Sequence, residues 1–188
     1  RHAMARAGDV AGRHVALFGA GPIGLLCLLA ARLAGAARIT IIDVAAAPLA
    51  FAQTLGADGV IDVSDGDSAL REIAASAPID VALEVSGTAA GLGSAIRAVR
   101  RGGTVVQVGN LPGGDIAVPA NAIMAKELDV RGSFRFGEEF YRAVELIVSG
   151  EIDVMRLVTA QRPLREAPDA FRLALDRSRS VKVVLTAG

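Results

Sequence analysis

Six short apolar runs punctuate the first 134 residues, and the stretches between them are too long for hairpin turns. The runs are HVALFG (14–19), RITIIDV (38–44), GVIDV (59–63), DVALEVSG (80–87), TVVQVG (104–109) and LDVRGSF (128–134). Most are apolar throughout rather than alternating, as strands covered on both faces must be. Helices are predicted near 22–35, 45–55, 67–76 and 89–100, and parallel neighbours need crossovers of that length. The chain is therefore predicted to be α/β, a doubly wound parallel sheet of six strands in the order 3-2-1-4-5-6. RRGG and NLPGGD mark turns around the fifth strand.

After Phe136 the alternation stops. GEEFYRAVELIVSG reads as an amphipathic helix ending at Gly150, LREAPDAFRLALDRS as a second helix and SVKVVLT as a last strand. This helix-helix-strand tail is too small for a core of its own. It must pack on the sheet or on another body.

Composition narrows the partners. Twenty acidic and twenty basic residues cancel, and no basic cluster is interleaved with aromatics, so neither nucleic acid nor an anionic membrane is implied. The most apolar run, Pro22 to Ala37, is shorter than the roughly 20 residues of a membrane span and contains Arg32. Cys27 is the only cysteine, which excludes a disulfide framework and a multi-thiolate zinc site and fits a reducing cytoplasm. Its own place is predicted in the core.

VALFGAGPIGLL (15–26) sets Gly19, Gly21 and Gly24 between a strand and a helix. In a Rossmann fold these glycines serve the tight turn, the close approach of a pyrophosphate and the packing of helix on strand. The helix start offers free N–H groups to phosphate, and Pro22 suits it because no N–H is required there. Asp43 ends the second strand, 19 residues after Gly24, where a carboxylate can accept the adenosine ribose hydroxyls. A 2′-phosphate of about −1.5 to −2 charges would be repelled by it. DVAAAPLA supplies no arginine just after the strand, and Arg38 lies at the wrong end, so NAD is expected over NADP. The competing reading is a structural turn without a ligand.

Hydride transfer from an alcohol also needs a group that handles the hydroxyl proton. The only tyrosine, Tyr141, is followed four residues on by Glu145 rather than lysine. The only histidines, His2 and His14, lie at or before the first strand, and Cys27 cannot supply three zinc ligands. No catalytic residue or metal ligand is expected in this chain. For Glu84, inside an apolar strand, a structural hydrogen bond is expected.

HAMARAGDVAGRHVALFGAGPIGLL, LGADGVIDV, DVALEVSGT, AVRRGGTVVQVG and PLREAPDAFRLALDRSRSVKVVL resemble zinc-dependent medium-chain dehydrogenases/reductases along essentially the whole chain. The resemblance implies a cofactor domain over 10–136, preceded at 1–9 by the end of a helix from a GroES-like catalytic domain that carries the zinc. It also implies that 137–188 returns to that domain. VRGSFRF (130–136) is similar to the polyol and sugar-acid branch, the sorbitol and L-idonate 5-dehydrogenases. By that resemblance Ile23, Asp43, Val85, Val108, Gly109, Asn110, Ser133, Phe134 and Arg135 would line the NAD site with the glycine loop. Arg135 and Phe136 would meet the substrate, a small polyol or sugar acid; the competing reading of Arg135 is a surface arginine on a sheet edge. Phe136 replaces the tyrosine of sorbitol dehydrogenases, and Pro48 stands where many relatives carry Lys or Arg near the ribose. The branch pairs two cofactor domains along the sixth strand, so association through Leu128 to Phe134 is expected. Two other readings stay open: a self-standing NAD-sensing module, and methyl transfer from S-adenosylmethionine, which predicts a final antiparallel hairpin on the sheet.

Overall fold

A computed structural model describes residues 1–187. A short helix α1 (His2–Ala7) leads into β1 (His14–Phe18), and β2 (Arg38–Asp43), β3 (Gly59–Asp62), β4 (Ile79–Glu84), β5 (Val99–Gln107) and β6 (Asp129–Gly132) follow. Between them run α2 (Pro22–Leu33), α3 (Ala46–Thr54), α4 (Ser68–Ser76), α5 (Ala89–Ala98) and α6 (Ala120–Lys126). The strands pair in parallel in the order β3-β2-β1-β4-β5-β6, as the alternation predicts.

The continuous apolar character of the strands follows from two cores. Val15, Leu17, Ile39, Ile41, Val81 and Leu83 pack on one face with Leu25 and Leu28 of α2 and Leu49 of α3. Ala16, Phe18, Ile42, Ala82 and Val105 pack on the other with Leu70 of α4 and Ile96 of α5. Successive strand residues point to opposite faces, so every position of β1 is buried.

Two elements depart from the sequence pattern. The fifth strand begins at Val99 rather than Thr104, because RRGG is spanned as an irregularity between Ile79 and Val81 rather than a loop. Helix α6, with Pro119 as its N-cap, is an addition to the four helices predicted between the strands.

The tail also departs from helix-helix-strand. It comprises α7 (Glu139–Val148), a 3-10 turn at Met155–Leu157, β7 (Val158–Pro163), a second 3-10 turn at Leu164–Glu166, α8 (Ala167–Leu175) and β8 (Lys182–Thr186). β7 pairs in parallel with β8 in a separate two-stranded sheet. VTAQRP carries too little apolar sequence to announce a strand, and it is stabilised by a partner some twenty positions on. The tail docks on the first face of the sheet: Leu157 joins the core of α2 and α3, and Arg156 donates to the Thr54 carbonyl at 2.5 Å.

Candidate functional site

The glycine loop divides its labour as the sequence suggests. Gly19 has φ +124°, and a Cβ there would lie 2.9 Å from the Ser86 backbone nitrogen, so both the turn and the neighbouring loop demand glycine. A Cβ on Gly24 would lie 2.0 Å from the Gly19 carbonyl oxygen, which makes this glycine the seat of α2 on the loop. Gly21, the N-cap of α2, is different. Nothing lies within 4 Å of where its Cβ would be, so the space above it is open. Pro22 is the first residue of α2 and costs no hydrogen bond.

Above this loop lie two cavities that share Val85 and Ser86. One, of about 460 Å³, is bordered by Gly19, Gly21, Asp43, Thr88 and Arg177. The other, of about 550 Å³, takes in Ile23, Val108, Gly109, Asn110, Ser133, Phe134 and Arg135. Such clefts form outside the carboxyl ends of parallel strands where the strand order reverses, here between β1 and β4. Of the residues expected at the site, Pro22, Gly24 and Phe136 border neither cavity. Phe136 instead stacks against Phe140, ring centroids 5.0 Å apart.

Asp43 is the best-bonded carboxylate of the site. Its Oδ1 accepts from the Val44 and Ala45 N–H groups at 2.8 and 3.0 Å. Its Oδ2 accepts from the Ala20 N–H at 2.7 Å and from the Arg177 guanidinium at 2.7 Å. Sequence reasoning missed Arg177. No local pattern reveals a residue that meets its partner across 134 positions.

Glu84 is fully buried at the end of β4. Its Oε1 accepts from the Ser86 N–H at 2.7 Å, the Ser86 hydroxyl at 2.5 Å and the Gly87 N–H at 2.9 Å, which is the structural bond expected of it. Those bonds shape the loop shared by both cavities. Arg135 adopts a left-handed backbone, φ +57°, uncommon for a residue with a side chain, and lies 5.0 Å over the Phe134 ring. Cys27 borders the second cavity but is buried, and desolvation pushes its thiol up to about 11, so it is no nucleophile. Among the described residues no three His, Cys, Asp or Glu side chains come together as a metal centre requires. The residues present therefore suit a dinucleotide and do not suit zinc.

Residues 22–149 match the family model described as zinc-binding dehydrogenase. The chain belongs to that family. L-idonate 5-dehydrogenase (NAD(P)(+)) of Escherichia coli K12 is 34% identical over 184 residues, covering 98% of this chain and 53% of that protein. Probable D-xylulose reductase A of Aspergillus terreus is 37% identical over 178 residues, covering 91% of this chain and 50% of that protein. The crystal structure of the E. coli L-idonate 5-dehydrogenase superposes with a TM-score of 0.89 at 33% identity, over 98% of this chain and 53% of that one. The chain thus spans about half the length of the curated relatives it matches. Family membership disfavours the sensing module. The methyl-transfer reading fails on topology, because the final strand pairs in parallel and outside the main sheet.

Proposed function

We propose that the chain is the dinucleotide-binding part of an NAD-linked, zinc-dependent dehydrogenase that oxidises a secondary alcohol of a polyol or sugar acid. One observation carries the reading: two adjoining cavities run from Asp43, past the open face of Gly21, to Arg135. Gly21 at the N-terminus of α2 would hold the pyrophosphate, because free N–H groups and the helix dipole favour anions there. Asp43 would hold the adenosine ribose, and Val108, Gly109, Asn110, Ser133 and Phe134 would line the nicotinamide end. Arg135 reaches substrate oxygens, its planar fork suiting a carboxylate or paired hydroxyls. When bound, the nicotinamide accepts the hydride. Zinc, which would acidify the alcohol, is assigned to a domain outside this chain. Two copies join along β6, and the lone, buried thiol suits the cytoplasm.

Titration of the purified protein with NADH, read by nicotinamide fluorescence, is expected to saturate at one site per chain. The chain alone is expected to show no zinc and no NAD reduction with L-idonate or sorbitol. Joined to a zinc-carrying partner domain, it is expected to turn over, and Arg135→Ala then lowers kcat/KM for the sugar acid while NADH affinity holds. Absence of NADH binding, or turnover by the chain alone that survives a chelator, would overturn this reading.

A further inference from the structure

The adenosine end of the cleft holds an ion pair for which a site built on Asp43 alone has no use. The Asp43 side chain is 5% exposed and the Arg177 side chain 50% exposed. With four hydrogen bonds the carboxylate has filled its acceptor positions. Three of these come from backbone amides that the fold fixes. The fourth comes from Arg177, the one donor that can rotate away.

Arg177 is set in place by a bonded turn between α8 and β8. The Asp176 carboxylate accepts from the Ser178 N–H at 3.1 Å and its hydroxyl at 2.5 Å, and the Asp176 carbonyl accepts from the Arg179 and Ser180 N–H groups at 3.1 Å. The Ser180 hydroxyl donates to the Leu173 carbonyl at 2.7 Å. That turn borders a small cavity with Pro48 of α3, so the tail brings a guanidinium to the quarter where α3 itself offers no cation. Beyond Asp43, Arg177 has no hydrogen-bond partner among the described residues, and it borders the cavity with Gly21 and Thr88.

We propose that Arg177 determines cofactor specificity, relaxing the preference for NAD that Asp43 alone would impose and admitting a dinucleotide with a 2′-phosphate beside one with a free 2′-hydroxyl. The inference rests on the dinucleotide reading above. A solitary carboxylate repels a 2′-phosphate of about −1.5 to −2 charges. Paired with Arg177 the position is electrically balanced, and the unused N–H groups of the fork suit phosphate oxygens. A free ribose meets the opposite condition. Its hydroxyl needs an acceptor on Asp43, and Arg177 already occupies it.

The test titrates NADH and NADPH into the protein and its Arg177→Ala and Arg177→Lys variants, with circular dichroism melting to verify folding. The unaltered protein is expected to bind the two nucleotides within about tenfold of each other. Arg177→Ala is expected to weaken NADPH by at least about tenfold and leave NADH unchanged or severalfold tighter, with Arg177→Lys in between. Competition on the unaltered protein needs no variant: 2′,5′-ADP is expected to displace NADH at least as well as 5′-AMP. NADH binding with an unchanged NADPH/NADH ratio in Arg177→Ala, or 2′,5′-ADP weaker than 5′-AMP by more than about tenfold, would overturn the inference alone. Failure of both nucleotides to bind overturns the dinucleotide reading and this inference with it.

Discussion

His14 shows how a single buried side chain sets a pH limit on the sheet. It opens β1 and is buried between β2 and the loop before β4. Its Nδ1 lies 3.2 Å from the Ala77 and Pro78 carbonyls and its Nε2 2.9 Å from the Thr40 hydroxyl, contacts that the neutral ring satisfies. Burial pushes its pKa below 6.5, opposed by the Ala77 carbonyl and aided by the Arg38 charge. The folded state thus binds the proton less well than the unfolded chain, and stability falls as pH drops below about 6.5. Between pH 7.5 and 5.5 urea denaturation is expected to show a loss of stability that His14→Gln abolishes. Parallel pH curves for the two proteins would refute this. The window lies above that of carboxylates such as Asp80, which the His14 N–H and Arg100 hold low against the opposing effect of desolvation.

The glycine loop lets structure and ligand binding be separated within one element. Gly24→Ala forces a Cβ against the Gly19 carbonyl oxygen, which cannot move without shifting α2, and a stability loss of about 3 kcal/mol or more is expected. Gly21→Ala meets no neighbour and keeps an ordinary backbone, φ −72°, so its stability should change by less than about 1 kcal/mol. The same methyl occupies the space assigned to pyrophosphate, so NADH affinity should fall at least about tenfold. Equal effects of the two substitutions on melting and on binding would contradict the assignment. This loop was legible in the sequence because its determinants are local: three glycines, an apolar strand before them and a helix after. The strand order was legible for the same reason, through runs buried on both faces. Strand β7 was not, because its stability comes from β8 and its own residues carry no period. Arg177 was not, because a salt bridge across the fold leaves no trace in spacing. Phe136, which resemblance alone assigns to the substrate, rests 5.0 Å from the Phe140 ring of α7.

At the scale of the molecule, the tail and the lead-in helix tie opposite ends of the sheet together. Arg177 reaches β2, and Arg6 of α1 donates to the Gly132 carbonyl at 2.9 Å while Arg131 donates back to the Arg6 carbonyl at 3.1 Å. Strand β3 closes one edge of the sheet and β6 the other, and among the described residues β6 pairs only with β5. Neither β7 nor β8 covers it, and Val130 remains 44% exposed. Apart from the Gly132 carbonyl that Arg6 takes, this edge has no strand beside it among the described residues, and such an edge invites pairing with another chain. A second copy related by a twofold axis presents the same edge to it, which makes a closed dimer rather than an open array. Light scattering on the purified protein is therefore expected to give a discrete dimer, and hydrogen exchange at Val130 and Arg131 is expected to slow as protein concentration rises. Val130→Lys sets a charge on the pairing edge and should shift the equilibrium towards monomer by at least about tenfold, with little change in monomer stability because the position is already partly solvated. A monomer at high concentration, or a dimer in which β6 exchanges freely and Val130→Lys has no effect, would remove β6 as the point of assembly.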